Sequence, residues 1–363
     1  MKKVAILTLY GDKNFGSKFQ NYAVQELIKL LGYECKTIRC ADTYKTIGWK
    51  GKLVAFLGFP PKMAERKRVA LQRETLFRKF SELFLQLGEK VKFCDVSAII
   101  NNYDFYIVGS DQVWHNWSGT NEEIDYFFLR FVPNYKRLCI SPSFGFETIL
   151  EKFKQQYADG LNGFKYLSCR EESGCKLIKE LTGREAQLLC DPTMALTASE
   201  WDKVSSKPLF DLPEKYILTY FLGTAPEEAI NYLKQLSEKE QLPIINLYDW
   251  NYPEYVNIQP DEFLYLIKRA EHFCTTSFHG CVFSIIYHTS FTVFERKDLK
   301  GMHGRISTLL KKFGLEYRDA ANQKLDIACD FSKVDDILAM ERKKMQNYLT
   351  SAFADAEAGE LNN

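Results

Sequence analysis

Short apolar runs alternate with amphipathic stretches along nearly the whole chain. This is the pattern of strands buried on both faces and separated by helices that cover them. Residues 4–9 read as a strand, 19–31 as a helix closed by Gly32, and 35–39 as a second strand, a βαβ opening. A basic amphipathic section runs from Lys62 to about Leu87. Further strands are predicted at 105–108, 138–140, 166–169 and 187–190, each ending in polar residues. After a Lys- and Pro-containing connector at 205–215, a second series begins, with strands at 216–220, 243–247, 272–275 and 291–295. Helices are predicted near 227–238, 261–270, 304–313 and 334–348. The reading is α/β with two halves facing each other across a cleft: 1–198, 199–330, a C-terminal helix at 331–350 and a frayed, disordered tail at 351–363.

Composition narrows the function classes. The 363 residues are 46% hydrophobic with a net charge of +1, which excludes a largely disordered chain and gives no overall pull toward nucleic acid. No apolar run approaches the roughly 20 residues of a membrane span, and the N-terminus reads as a buried strand, not a leader. The ten cysteines contain no CxxC pair and mostly sit in apolar runs. A reduced, cytoplasmic protein is expected. The five histidines show no metal-ligand spacing, so no metal is expected.

Polar clusters fall where predicted strands end, the usual ligand-binding edge of an α/β sheet. Gly11 to Lys18 has glycines and a lysine, but in the wrong order for a P-loop. Asn14, Gln20 and Asn21 there are either turn and cap residues or sugar hydrogen-bonders. Asp111, Gln112 and Trp114 combine a carboxylate, an amide and an aromatic face, as carbohydrate sites do; an Asp cap beside a core Trp is the other reading. Arg170 closes a strand and suits a bidentate clamp on phosphate or carboxylate, or else an ion pair with Glu171 or Glu172. Arg296 and Lys297 follow the last strand. Asp191-Pro192-Thr193 reads as a turn or helix cap. Ser277, His279 and Gly280 crowd a strand-to-helix turn, with His279 the candidate for chemistry.

These motifs, in this order, resemble the polysaccharide pyruvyltransferase family. The matching stretches are Asn14-Phe15-Gly16 with Gln20-Asn21-Tyr22-Ala23, Val108 to Trp114, Ser143-Phe144-Gly145, Arg170 to Ser173 and Asp191-Pro192-Thr193. Ser277-Phe278-His279-Gly280, Arg305-Ile306 with Leu309-Leu310, and Gly314-Leu315 complete the series. The resemblance implies a glycosyltransferase-B-like fold of two Rossmann-like domains. It also implies pyruvyl transfer from phosphoenolpyruvate, a co-substrate and not a cofactor, to two hydroxyls of a sugar, forming a cyclic ketal and releasing phosphate. On this reading His279 is the general acid/base. Arg170, Ser277, Gly280, Arg296 and Lys297 bind the donor, while Asn14, Gln20, Asn21, Asp111, Gln112 and Trp114 face the glycan acceptor, free or lipid-linked. Thr276 departs from the family, many of whose members carry an acidic residue there, so the carboxylate partner of His279 is unassigned.

Two other functions fit the same fold: a sugar-nucleotide-dependent glycosyltransferase, or a non-catalytic glycan-binding protein of an assembly complex. The basic segment 62–79 is either a solvated helix or a peripheral contact with the inner face of the membrane or the diphosphate of a lipid-linked acceptor. No nucleic-acid partner is expected.

Overall fold

In the computed structural model the chain is described over residues 1–363 except 12–13, 44–47, 59, 248, 250–251, 297–303, 323–325, 327 and 362–363. Two parallel sheets organise it. The first contains β1 (Lys3–Leu7), β2 (Glu34–Cys40), β3 (Leu87–Val91), β4 (Phe105–Asp111) and β5 (Arg137–Pro142), in the order β3-β2-β1-β4-β5. A small annex pairs β6 (Ser168–Cys169) with β7 (Gln187–Leu188). The second sheet contains β8 (Ile217–Tyr220), β9 (Ile244–Asn246), β10 (His272–Thr275) and β11 (Phe291–Val293), in the order β11-β10-β8-β9. These are two Rossmann-like domains facing across a cleft.

Both orders reverse direction at a central strand, β1 beside β4 and β8 beside β10. Loops leaving the two neighbours at such a point diverge and open a crevice. β1 and β4 run in parallel with Ala5 opposite Tyr106, and β8 and β10 with Thr219 opposite Cys274. The C-terminal ends of these four strands supply the residues of the cleft.

The helix after β1, α1 (Phe15–Leu30), starts four residues earlier than the hydrophobic pattern suggests. Asn14 causes this: its Oδ1 accepts the Gly16 N–H at 2.9 Å and caps the helix. Gly16 lies in the first turn of this capped helix. From the first turn of α1, Phe15 stacks on Phe263 with centroids 4.2 Å apart, and Phe19 lies edge-on to Phe283 at 4.9 Å. Aromatic contacts of this kind add about 0.5–1.5 kcal/mol each beyond their buried area. One hydrophobic core therefore runs from Val4 and Ile6 of the first domain to Phe273 and Val293 of the second.

Between β2 and β3 the chain forms a helical hairpin, α2 (Trp49–Leu57) and α3 (Pro61–Phe84). The sequence reading carries α3 to about Leu87 and does not foresee β3, whose polar, half-exposed residues lack a clean apolar alternation. At the other end of the chain, one helix spans Val334–Leu361. It replaces the expected helix at 331–350 and disordered tail at 351–363, of which residues 362–363 lie outside the described set. Small, acidic composition suggested fraying, but Ala352, Phe353 and Ala356 are buried against the first domain. Phe353 stacks on Tyr33 at 4.4 Å, and Lys2 pairs with Glu360 at 2.8 Å.

Phe353→Ala should therefore cost about 3–5 kcal/mol, the usual range for emptying a buried Phe site. Urea denaturation measures this directly; a frayed tail would show no change.

Candidate active site

A cavity of about 190 Å³ lies where the two sheets' strand ends oppose each other. From the first domain it is lined by Asn14, Asp111, Gln112 and Trp117; from the second by Ser277, Phe278, His279, Arg296 and Arg305, among others. Trp117 is also shared with a second cavity of about 300 Å³ in the first domain, lined by Tyr10, Ser17, Asp42, Thr43, Ser118 and Glu123 as well.

Behind the cavity lies a buried charge cluster. Arg170, just past β6, has no exposed side-chain surface; its Nη1 donates to Asp191 Oδ2 at 2.7 Å and its Nη2 to Asp111 Oδ1 at 3.0 Å. Glu171 Oε2 is 3.9 Å from Arg170 Nε. Burial alone would raise the Asp111 and Asp191 carboxyls and lower the Arg170 guanidinium. Burial is the largest single influence at both acids, but Arg170, His279, Arg305 and Ser17 together outweigh it at Asp111, and His279, Arg170 and Thr193 together at Asp191, so both acids sit below the ordinary carboxylate range. The acids in turn hold Arg170 above its ordinary value. Asp111 sits in the left-handed backbone region, φ 71, which non-glycine residues seldom adopt. That conformation ends β4 with the carboxylate held by Arg170 and by Ser17 of α1, whose Oγ donates to Asp111 Oδ2 at 2.9 Å.

His279 occupies the first turn of the helix Phe278–Tyr287, placed there by the Ser277 cap. Its Nε2 faces Asp191 Oδ2 at 3.5 Å. Its Nδ1 edge lies over Gly16, so close that a Cβ on Gly16 would fall 2.0 Å from Nδ1. The imidazole is thus held between a carboxylate and a bare glycine, both from the opposite domain. Asp191 fulfils the cap reading as well: its Oδ1 accepts the Thr193 N–H at 3.1 Å. Thr276 serves elsewhere, its Oγ1 accepting the Leu222 N–H at 2.9 Å. The carboxylate that the sequence left unassigned is supplied across the cleft by Asp191, 88 residues upstream.

The sequence candidates separate into two sets. Asn14, Asp111, Gln112, Ser277, His279 and Arg296 line the cavity. Arg170 does not reach it, because its Nη1 and Nη2 are taken by carboxylates, and the ion-pair reading describes it, extended to Asp111 and Asp191. Gly280 offers no N–H to a ligand, since it donates to Ser277 Oγ at 3.2 Å. Gln20 and Asn21 face the domain interior, Gln20 donating to Thr8 Oγ1 and Asn21 accepting from Thr37 Oγ1. Trp114 is a core residue, stacked on Phe128 at 5.2 Å with its N–H bonded to the Phe127 carbonyl. The exposed aromatic is Trp117, three residues on. Lys297 lies outside the described residues.

Arg305 enters the sequence reading only within a matching motif, with no role of its own. It lines the cavity, packs against the Phe278 ring with Arg170 (5.7 and 4.8 Å to the centroid), and its buried Nε has no hydrogen-bond partner among the described residues. Burial, then repulsion from Arg170, pushes it down to about 10. Since Ser277 engages Gly280 and Cys281, the N–H groups of Phe278 and His279 are the ones this helix end presents, beside Arg305 and Arg296. A helix N-terminus with adjacent guanidinium groups is an anion site.

The family model for polysaccharide pyruvyl transferase matches residues 14–298. The chain belongs to that family. It is accordingly a pyruvyl transferase enzyme whose family implies a glycan acceptor. No curated protein matches the chain. Solved structures that align over most of it include an alpha-glucosyltransferase in complex with UDP and DNA, at 9% identity and TM-score 0.49, covering 96% of this chain and 95% of that one. A putative UDP-N-acetylglucosamine 2-epimerase from Listeria monocytogenes aligns at 8% identity and TM-score 0.46, covering 93% and 96%. The UDP-GlcNAc 2-epimerase from Neisseria meningitidis aligns at 10% identity and TM-score 0.41, covering 94% and 100%. Among the described residues, no cluster of three or more His, Cys, Asp or Glu side chains is arranged to hold a metal ion.

The buried cluster makes the transferase's stability sensitive to Arg170 in a pH-dependent way. Depressed carboxyls lend stability that is complete above their unfolded value of about 3.9 and is lost as pH falls through the folded values. Arg170→Met leaves Asp111 and Asp191 buried without their cation, which should cost about 3–5 kcal/mol at neutral pH. The loss should shrink as acid protonates the two carboxyls. Urea denaturation of both proteins at about pH 7 and pH 4 measures the difference; a loss below about 1 kcal/mol, or one independent of pH, would contradict the assignment.

Proposed function

We propose that this transferase moves the pyruvyl group of phosphoenolpyruvate onto two hydroxyls of a sugar, with His279 as the general acid/base. The observation that carries this reading is the small cationic cavity containing Arg305, Arg296, a helix N-terminus and His279. Its volume of about 190 Å³ lies below the roughly 300–1,000 Å³ of drug-sized ligand pockets and suits a ligand as small as a three-carbon phosphate ester. The family match to polysaccharide pyruvyl transferases supports phosphoenolpyruvate over the glycosyltransferase alternative. Arg305 and Arg296 would take the phosphate and carboxylate, together with the Phe278 and His279 N–H groups.

The chemistry follows from where the protons must go. His279 gives a proton to the donor's CH₂ carbon, which becomes the methyl group and leaves the adjacent carbon electron-poor. One sugar hydroxyl adds to that carbon and loses its proton to the imidazole, resetting the ring. The C–O bond to phosphate then breaks, the second hydroxyl closes the ketal, and its proton leaves with the phosphate. Asp191, at Nε2, would orient the ring and offset its charge while it carries a proton. Gly16, having no side chain, leaves the room that the Nδ1 edge of the ring occupies. The second cavity, with half-exposed Trp117 as a flat wall and Asp42, Ser118 and Glu123 as polar groups, has the aromatic-plus-carboxylate character of a sugar site and would hold the acceptor. Whether that acceptor is lipid-linked does not alter these steps.

Incubation of the purified protein with phosphoenolpyruvate and candidate glycans should release phosphate and add a pyruvate ketal, seen by mass spectrometry. His279→Ala should lower kcat by about 10²–10⁴-fold, and Gly16→Ala should resemble it if the fold is retained. Arg305→Ala should raise the donor KM at least about tenfold, whereas Trp117→Ala should raise mainly the acceptor KM. Full activity in His279→Ala, or release of a nucleotide in place of phosphate, would overturn the proposal.

A further inference from the structure

The hairpin α2–α3 carries a feature that the transfer chemistry does not use. Leu53, Phe56 and Leu57 fall on one face of α2, at i, i+3 and i+4, and Phe56 is 84% exposed and Leu57 64%. Met63, just beyond the turn, is 51% exposed. The opposite sides of the hairpin are packed: Ala55 and Ala64 are buried, and Arg68 Nε donates to the Ala55 carbonyl at 2.9 Å. The apolar tip is therefore held outward by a built structure. Around it, residues 48–68 carry six Lys or Arg (Lys50, Lys52, Lys62, Arg66, Lys67, Arg68) against one acid, Glu65. The chain as a whole has a net charge of +1, so this short segment concentrates positive charge that the remainder lacks.

We infer that the α2–α3 tip docks on an anionic lipid surface, with Phe56 and Leu57 entering the headgroup–acyl boundary and the surrounding lysines and arginines meeting lipid phosphates. Apolar insertion and cationic attraction together give stable interfacial binding where either alone is marginal. Charge decides against a second copy of the chain. An isologous contact would place one cationic ring directly against its equal, with only a few apolar residues to offset the repulsion. The basic segment 62–79 was a candidate for such a contact, but the structure shifts its centre. Arg73 is buried, packed over the Phe15 and Phe77 rings and donating to the Val256 carbonyl at 3.1 Å, so it belongs to the interdomain seam, while Arg78 and Lys79 are exposed but stand apart from the apolar tip. The docking surface is the tip, from Lys50 to Arg68.

The test uses the full chain and needs no turnover, so its outcome is independent of the donor chemistry proposed above. The protein is co-sedimented with vesicles of phosphatidylcholine alone and with about 30% phosphatidylglycerol. Binding should be at least about tenfold stronger to the anionic vesicles and should weaken with salt. The double variants Phe56→Ser/Leu57→Ser and Lys52→Glu/Lys62→Glu should each reduce it at least about tenfold while keeping the wild-type Tm. As a second readout in an otherwise native background, Phe56→Trp should show emission that brominated acyl chains quench. Absence of binding to anionic vesicles, equal binding by wild type and both variants, or a dimer dissolved by Phe56→Ser/Leu57→Ser would overturn the inference.

Discussion

Everything at the cleft is referred to one buried cation. Arg170 has left water completely, and a lone guanidinium there would be prohibitively costly. Its solution is to draw Asp111 from the end of β4 and Asp191 from beyond β7 onto the same fork, with Glu171 beside it. These contacts fix more than charge. Asp111 keeps a left-handed backbone while bound to Arg170 and Ser17, which ties β4 to the first turn of α1. Asp191 keeps one oxygen for Thr193 and turns the other toward both Arg170 and His279. The orientation of the imidazole is thus set by a network whose members all belong to the first domain.

The interdomain seam must therefore be accurate. Phe15 and Phe19 seat the second domain against α1 through Phe263 and Phe283, and the His279 ring comes to lie against Gly16. Only glycine fits where the His279 ring arrives. A rigid aromatic joint and a missing side chain are two parts of one requirement: His279 comes from the second domain, but its environment is built by the first. Separate domains would each hold an incomplete site.

Much of the fold was legible because buried parallel strands write themselves as apolar runs; β10 and the helix Gly304–Phe313 fall where the pattern places them. The misses share a cause, tertiary context overriding local composition. β3 is a polar edge strand that exists because β2 offers it a ladder. The helix Val334–Leu361 continues because Phe353 finds Tyr33 more than 300 residues away in sequence. At the site, residue type alone could not separate Trp114 from Trp117, since both follow the same strand and only packing decides which enters the core. Gln20 and Asn21 look like sugar ligands, yet they lie on the face of α1 turned toward β1 and β2. The partner of His279 was hidden by sequence distance, and the cap reading of Asp191 was correct for one of its oxygens only.

The same electrostatics separates the arginines that line the cavity from the most conspicuous one. A guanidinium enclosed by two carboxylates has already committed its hydrogen bonds, and its field is largely cancelled within a few ångströms. Arg170 is such a group, and an anion entering the cleft would meet the surrounding acids as well as the cation. Arg305 is different: it stands beside Arg170, is destabilised as a cation by burial and by that neighbour, and keeps a buried Nε without a partner. Bringing an anion to it would relieve both penalties at once. The buried cluster thus does two things with like charges. It compensates one arginine to hold the site's shape, and it leaves the next, Arg305, under-compensated at the cavity wall.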